Sequence, residues 1–346
     1  MADVLKGISG GWAFLVSWVF PSAISWSAFG LFVYPHLTGL PVFKEISTTT
    51  ESNQEIVLAG LSLATAILLS ASSTVLFRML EGYKLMPERL AVRLRKRQLR
   101  TRAALQQKLA LLRDLRKAEV DAAEVGPDKE VHESQTGVDV RIGLVAEELR
   151  RFPADARQFG PTRFSNALRA IETYGWDRYF LDSQTLWSEL QGVIPDGLKD
   201  EQDRARAPVN FFVSLLYLSC FETVVCLATA LLQTTDRLAL VAVGVISAVL
   251  VPMWYRLAIS NTRNLLAVMQ ATVNIGRVRL AAEMGLVIPV KLNDERDMWH
   301  RVYWFVHDPY DATYSADLDK YRRNDSSLHR PCNTSRTRRR GLAGLR

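Results

Sequence analysis

Glu222 has the clearest chemical potential in this chain, because it interrupts a run from Val209 to Leu232 that carries no other charge. An ionisable group at the middle of a membrane helix costs about 2.5–3.5 kcal/mol on insertion scales, and such groups face a bundle interior or a water-filled path. Ser219, Glu222, Cys226, Thr229 and Gln233 recur at three and four residues, so a helix gathers them into one polar stripe. Two chemistries fit that stripe. The first is interhelical hydrogen bonding by a neutral carboxyl, worth about 0.6 kcal/mol per contact and at most about 1.7. The second is a titrating group in a proton or ion path. No base lies in the other apolar runs to form an ion pair. The first reading carries more weight.

Arg163, Asn166, Arg169 and Arg178 form a second constellation. Guanidinium forks suit a phosphate or a lipid headgroup. The same arginines can instead pair with Glu172, Asp177 and Asp182, Arg178 and Asp182 being spaced i,i+4. The structural role is the expected one. Enzyme signatures are scarce: GxxxxGK[ST], HExxH and CxxC are absent, and Gly7–Gly11 matches GxSxG without the strand-to-helix context of a nucleophile elbow. His300 and His307, with Asp308 and Asp311 nearby, make a poor metal set. Neither catalysis nor a cofactor is expected.

The elements that must position these residues are apolar helices. Gly11–Tyr34, Ile56–Phe77, Val209–Leu232 and Leu238–Tyr255 are each long enough to cross a hydrocarbon core of about 30 Å. Pro21 should kink the first, which neighbouring helices tolerate. Of 346 residues, 43 are basic and 36 acidic, and the net +7 is strongly segregated. Arg78 to Lys117 carries +10, Ala118 to Ala205 carries −8, and Lys320 to Arg346 carries +8. Basic blocks beside apolar runs fit the cytoplasmic face of a membrane and its anionic lipid better than nucleic acid. Cys220, Cys226 and Cys332 imply no disulfide framework.

The fold class expected is all-α, four transmembrane helices with a cytoplasmic helical module. By the positive-inside rule both termini lie in the cytoplasm, because Lys and Arg concentrate after the second and fourth spans. The divisions are a first hairpin (1–78), a basic stalk helix (79–121), a helical module (122–206), a second hairpin (207–256), a helical region (257–319) and a basic disordered tail (320–346). Leu105, Leu109 and Leu112 mark one apolar face, and Leu266, Met269, Val273 and Leu280 another. The two faces are expected to pack together as a two-helix stalk extending spans two and four. Ala122 to Val138 reads as a mobile loop. A helix beginning near Pro161 should run to about Tyr174 and stop at Gly175.

Glu81-Gly82-Tyr83, Pro161-Thr162-Arg163, Asn166, Leu168-Arg169-Ala170, Glu172, Tyr174, Arg178-Tyr179, Asp182 and Trp187 together resemble a pattern in uncharacterised bacterial four-span integral membrane proteins. Phe164-Ser165 stands where that pattern has Leu-Gly, and Phe180 where it has Gly. The resemblance implies the topology and carries no activity. The function expected is a membrane scaffold or regulatory protein whose cytoplasmic module binds a protein partner. The alternative is a channel or transporter, oligomeric because four spans make a thin pathway, with Glu222 in a hydrated path.

Overall fold

The computed structural model describes residues 11–37, 54–84, 86–123, 129–232, 237–309 and 317–322. Residues 38–53, Gln233 and the basic segment beyond Arg322 lie outside them. Among the described residues the regular structure is helical, apart from one isolated antiparallel bridge between Leu286 and Arg322. Three helices are long and apolar enough to cross a membrane: α1 (Gly11–Phe32), α9 (Asp196–Leu232) and α10 (Arg237–Glu283). A fourth candidate is a bent pair, α2 (Gln54–Ala71) and α3 (Ser73–Glu81), turned by 60° at Ser72.

That bend corrects the straight span expected from Ile56 to Phe77. The sequence there is Ser70-Ala71-Ser72-Ser73-Thr74, and serine clusters are a recognised cause of sharp kinks. Ser72 closes the break, accepting from the N–H groups of Val75 and Leu76 at 2.9 and 3.0 Å. Helix α3 then ends on Gly82, whose φ of +84° suits glycine. A Cβ at Gly82 would also come within 2.8 Å of Pro161.

The polar remainder forms a helical head: α4 (Glu88–Ala123), α5 (Lys129–Leu149), α6 (Arg163–Glu172), α7 (Tyr174–Tyr179), α8 (Trp187–Val193) and α11 (Leu292–His307), with the polar ends of α9 and α10. The expected two-helix stalk is not formed. Leu105, Leu109 and Leu112 of α4 pack on Ile142, Val145, Ala146 and Leu149 of α5. An antiparallel neighbour joined by a short connection reaches that face before a more distant helix does. Accordingly the segment 122–138, expected as a loop, is helical from Lys129.

The face of α10 finds two other partners. Leu265 and Leu266 join Ala205, Val209 and Val213 of α9 and Phe164 and Ile171 of α6. Leu280 joins Leu181, Leu186, Leu190, Met298, Trp299 and Val302 in the main core of the head. Each of those large side chains contributes about 1.5–3 kcal/mol when fully buried. Gly276 allows the approach, since a Cβ there would lie 2.9 Å from Leu190.

Helix α6 starts at the Thr162 cap, whose hydroxyl accepts from Ser165 N–H at 3.0 Å. It stops at Thr173, two residues before the expected Gly175. Gly175 lies inside α7 because the chain returns over it, placing Leu181 O 2.7 Å from where a Cβ would be. The left-handed cap falls instead on Phe180, at φ 58°.

Candidate functional site

Glu222 is tied to two neighbouring helices. Ser25 Oγ of α1 donates to Oε1 at 2.5 Å, and Ser247 Oγ of α10 donates to Oε2 at 3.4 Å. Both carboxyl oxygens therefore have a partner across a helix interface. Beside them lies a cavity of about 270 Å³, bordered by Ser25, Trp26, Thr65, Tyr217 and Glu222. Trp26 Nε1 is engaged with Thr65 Oγ1 at 2.9 Å.

The rest of the stripe is absorbed in the same way. Ser219 Oγ accepts from Trp254 Nε1 at 3.2 Å. Thr229 Oγ1 returns to Val225 O of its own helix at 2.8 Å. Cys226 is fully buried with Val33, Ala230 and Leu240, and Gly244 of α10 lies against it. The small glycine permits this backbone approach, as is usual between apolar helices.

Ser214 escaped the sequence reading. Pro21 has no N–H, so the carbonyl of Ser17 four residues earlier loses its helical donor. Around that point α1 relaxes into a π-turn, Leu15–Val19. Ser214 Oγ, fully buried on α9, donates to Ser17 O at 3.1 Å. The signal available in sequence was a serine two turns before Glu222, matching the two turns from Ser17 to Ser25. Tyr217 Oη of α9 donates to Leu76 O of α3 at 2.7 Å.

Below this layer, where α2 bends into α3, a second cavity of about 890 Å³ opens between the apolar helices and the helical head. Its charged lining is Arg78, Glu81, Arg169, Glu172 and Arg206, with Asn210 and Tyr83. Arg169 Nε donates to Tyr83 Oη at 3.0 Å, its guanidinium lies over that ring, and Nη1 meets Glu172 at 3.4 Å. Burial pushes the Glu172 carboxyl above its usual value, with Arg169 and Arg78 pulling the other way. Thr162 Oγ1 also donates to Leu80 O at 2.9 Å. The Glu81-Gly82-Tyr83 and Pro161–Glu172 segments thus form one contact surface.

The second constellation does not assemble. Asn166 is 1% exposed and braces its own loop, accepting from Gly160 N–H at 2.9 Å and donating to Thr162 O at 2.9 Å. Arg169 faces the large cavity, whereas Arg163 lines two others beside Tyr255 and Arg256. The expected Arg178–Asp182 pair is absent among the described residues. Asp182 instead accepts from Gln184 N–H, Thr185 N–H and Thr185 Oγ1. Arg178 contributes its carbonyl, which takes a hydrogen bond from Arg296 at 2.6 Å.

Among the described residues, no group of three or more His, Cys, Asp or Glu side chains is placed to hold a metal. His300 packs on Trp176 and Phe180 and accepts from Trp304 Nε1 at 3.2 Å, while His307 lies on Tyr303. Set against family models, curated proteins and solved structures, the chain matches none.

Proposed function

We propose that the chain is a four-span protein of a bacterial cytoplasmic membrane. In this reading its helical head is cytoplasmic and binds a protein partner, so that the protein acts as a scaffold or regulator and not as an enzyme. The single observation that carries the reading is the closure of Glu222 by Ser25 and Ser247 from two other helices. A carboxyl satisfied on both oxygens serves as a tie within the bundle. The span count is supported by register. Ser17–Ser214 and Ser25–Glu222 are both 197 residues apart, so α1 and α9 run parallel. Parallel neighbours require one return crossing between them, and the bent pair α2–α3 supplies it. Partner binding is supported by the α4–α5 hairpin, which leaves Leu111, Leu115, Val140 and Leu144 exposed.

Transport is the second reading, favoured by one observation. The cavities of about 270 and 890 Å³ follow one another along α2 and α9, from Thr65 and Glu222 to Ser70 and Asn210. Proton and ion flux into proteoliposomes between pH 5 and 8, for wild type and Glu222→Gln, separates the two. The scaffold reading expects no pH-dependent flux and nearly equal melts, because the glutamine oxygen accepts from one serine while its amide N–H donates to the other. A pH-dependent wild-type flux that disappears in Glu222→Gln with an unchanged melt would overturn it.

A further inference from the structure

Two cavities of about 430 and 580 Å³ meet at Arg163, Tyr255 and Arg256, which line both. Arg97 completes the charge of the first and Arg151 that of the second, and no carboxylate lines either. The three contributing regions are far apart in the chain. Arg97 belongs to the basic face of α4, Arg163 opens α6, and Arg256 is the first charge after the apolar run of α10. Each hollow gathers three guanidinium groups, which repel each other unless an anion sits among them. Among the described residues, Arg97, Arg163 and Arg256 form no ion pair. Arg151 Nη2 reaches Glu147 at 3.5 Å, but its buried Nε has no acceptor.

Two further groups narrow the chemistry. Gln98, which lines the first cavity, is only 7% exposed, and its Oε1 has no donor. Tyr255 Oη accepts from Phe164 N–H at 3.3 Å, which leaves its own proton to give. The arginines and the tyrosine ask for phosphate oxygens, whereas Gln98 asks for a hydroxyl or another donor. A phosphodiester carries no proton at neutral pH, so the donor must come from the group esterified to it. An ammonium headgroup would set a cation among three guanidinium groups. A polyol headgroup supplies hydroxyls without that charge.

An apolar track leads away from the hollow. Ile246, Val249 and Met253 are exposed on α10 at spacings of three and four that continue to Arg256. They offer an acyl chain a path along the span while its phosphate lies at the guanidinium groups.

We propose that this hollow binds one anionic glycerophospholipid with a hydroxyl-bearing headgroup, of the phosphatidylglycerol class. Arg97, Arg163 and Arg256 hold the phosphate, Tyr255 donates to it, and Gln98 Oε1 accepts from a headgroup hydroxyl. The inference rests on the membrane reading above. That reading is tested separately, by whether the wild-type chain stays in the membrane fraction after alkaline extraction.

The lipid site is tested on the purified full-length chain in neutral detergent, by melts against dioctanoyl phosphatidylglycerol, phosphatidylcholine, phosphatidylmethanol and deacylated glycerophosphoglycerol. Phosphatidylglycerol should raise the melting temperature saturably, above all three others. Arg163→Gln and Arg256→Gln should each weaken it about tenfold, the loss expected for one charge-assisted hydrogen bond, with little change in the lipid-free melt. Gln98→Leu should erase the preference for phosphatidylglycerol over phosphatidylmethanol, an anionic phosphodiester without a headgroup hydroxyl, while leaving phosphatidylmethanol binding intact. Equal shifts by phosphatidylcholine, or arginine variants that bind as wild type does, would overturn the site. Deacylated headgroup binding as tightly as the lipid would assign the hollow to a soluble phosphodiester and overturn the lipid assignment.

Discussion

Replacing Ser214 by alanine removes a side-chain donor to the carbonyl that Pro21 deprives of its i+4 N–H. The hydroxyl lies 3.1 Å from Ser17 O and 2.9 Å from Asn210 O, and it has one proton to share. Asn210 O sits four residues before Ser214 within α9, so it keeps a backbone donor when the hydroxyl is gone. The loss therefore falls on Ser17. An interhelical hydrogen bond averages about 0.6 kcal/mol, and a buried acceptor left without a partner costs about 1–3 kcal/mol. Together they place Ser214→Ala at about 1–2 kcal/mol destabilising. Pro21→Ala restores an N–H four residues after Ser17. In that background Ser214→Ala should cost less than about 0.5 kcal/mol, since the carbonyl then has its own helical donor. The loss of the buried proline ring is common to both arms and cancels in the cycle. Reversible unfolding of the four proteins in bicelles by a denaturing detergent measures the coupling. Equal costs of Ser214→Ala in the two backgrounds would refute the argument that Ser214 answers Pro21.

Phe180→Gly should be more stable than Phe180→Ala by about 1 kcal/mol, because both lose the ring but only glycine relieves the left-handed backbone. The shared loss covers the contacts of the ring with Trp176, His300 and the Arg296 guanidinium. Equal melts of the two variants would remove the strain argument. Glu172 is raised above the usual 4.5 by burial, so folding favours its protonated form. Its contribution is fully present below the ordinary carboxylate range and is lost as pH rises through the raised value. The melting temperature should fall over that window, and Glu172→Gln should flatten the fall; parallel profiles would exclude Glu172 as its source.

Much of the architecture is legible in the chain because its causes are local. Apolar runs, their lengths and the segregation of basic residues are properties of neighbouring residues, and they mark the candidate spans directly. Glu222 stands out by the same contrast. The hairpin of α4 and α5 was half legible: the leucine face of α4 was visible, but Lys129–Val138 has the composition of a loop and is helical in the fold. The Ser72 bend was written in Ser70–Thr74, yet hydropathy averages over such a feature.

The sequence by itself determined which segments are apolar, which residues are charged among them, and that Pro21 must leave a carbonyl without its donor. The tertiary structure alone decided what answers each of these demands. Ser17 meets Ser214, Ser25 meets Glu222, and each pair is separated by 197 residues. No periodicity spans that distance, because a helix repeat relates positions three or four apart. The arginines show the same limit. Arg163 and Arg169 lie on one short helix but line different cavities, and Arg163 is joined there by Arg97 and Arg256 from other helices. Spacing along a helix states which way a side chain leaves it, and only packing brings a partner from elsewhere in the chain to meet it.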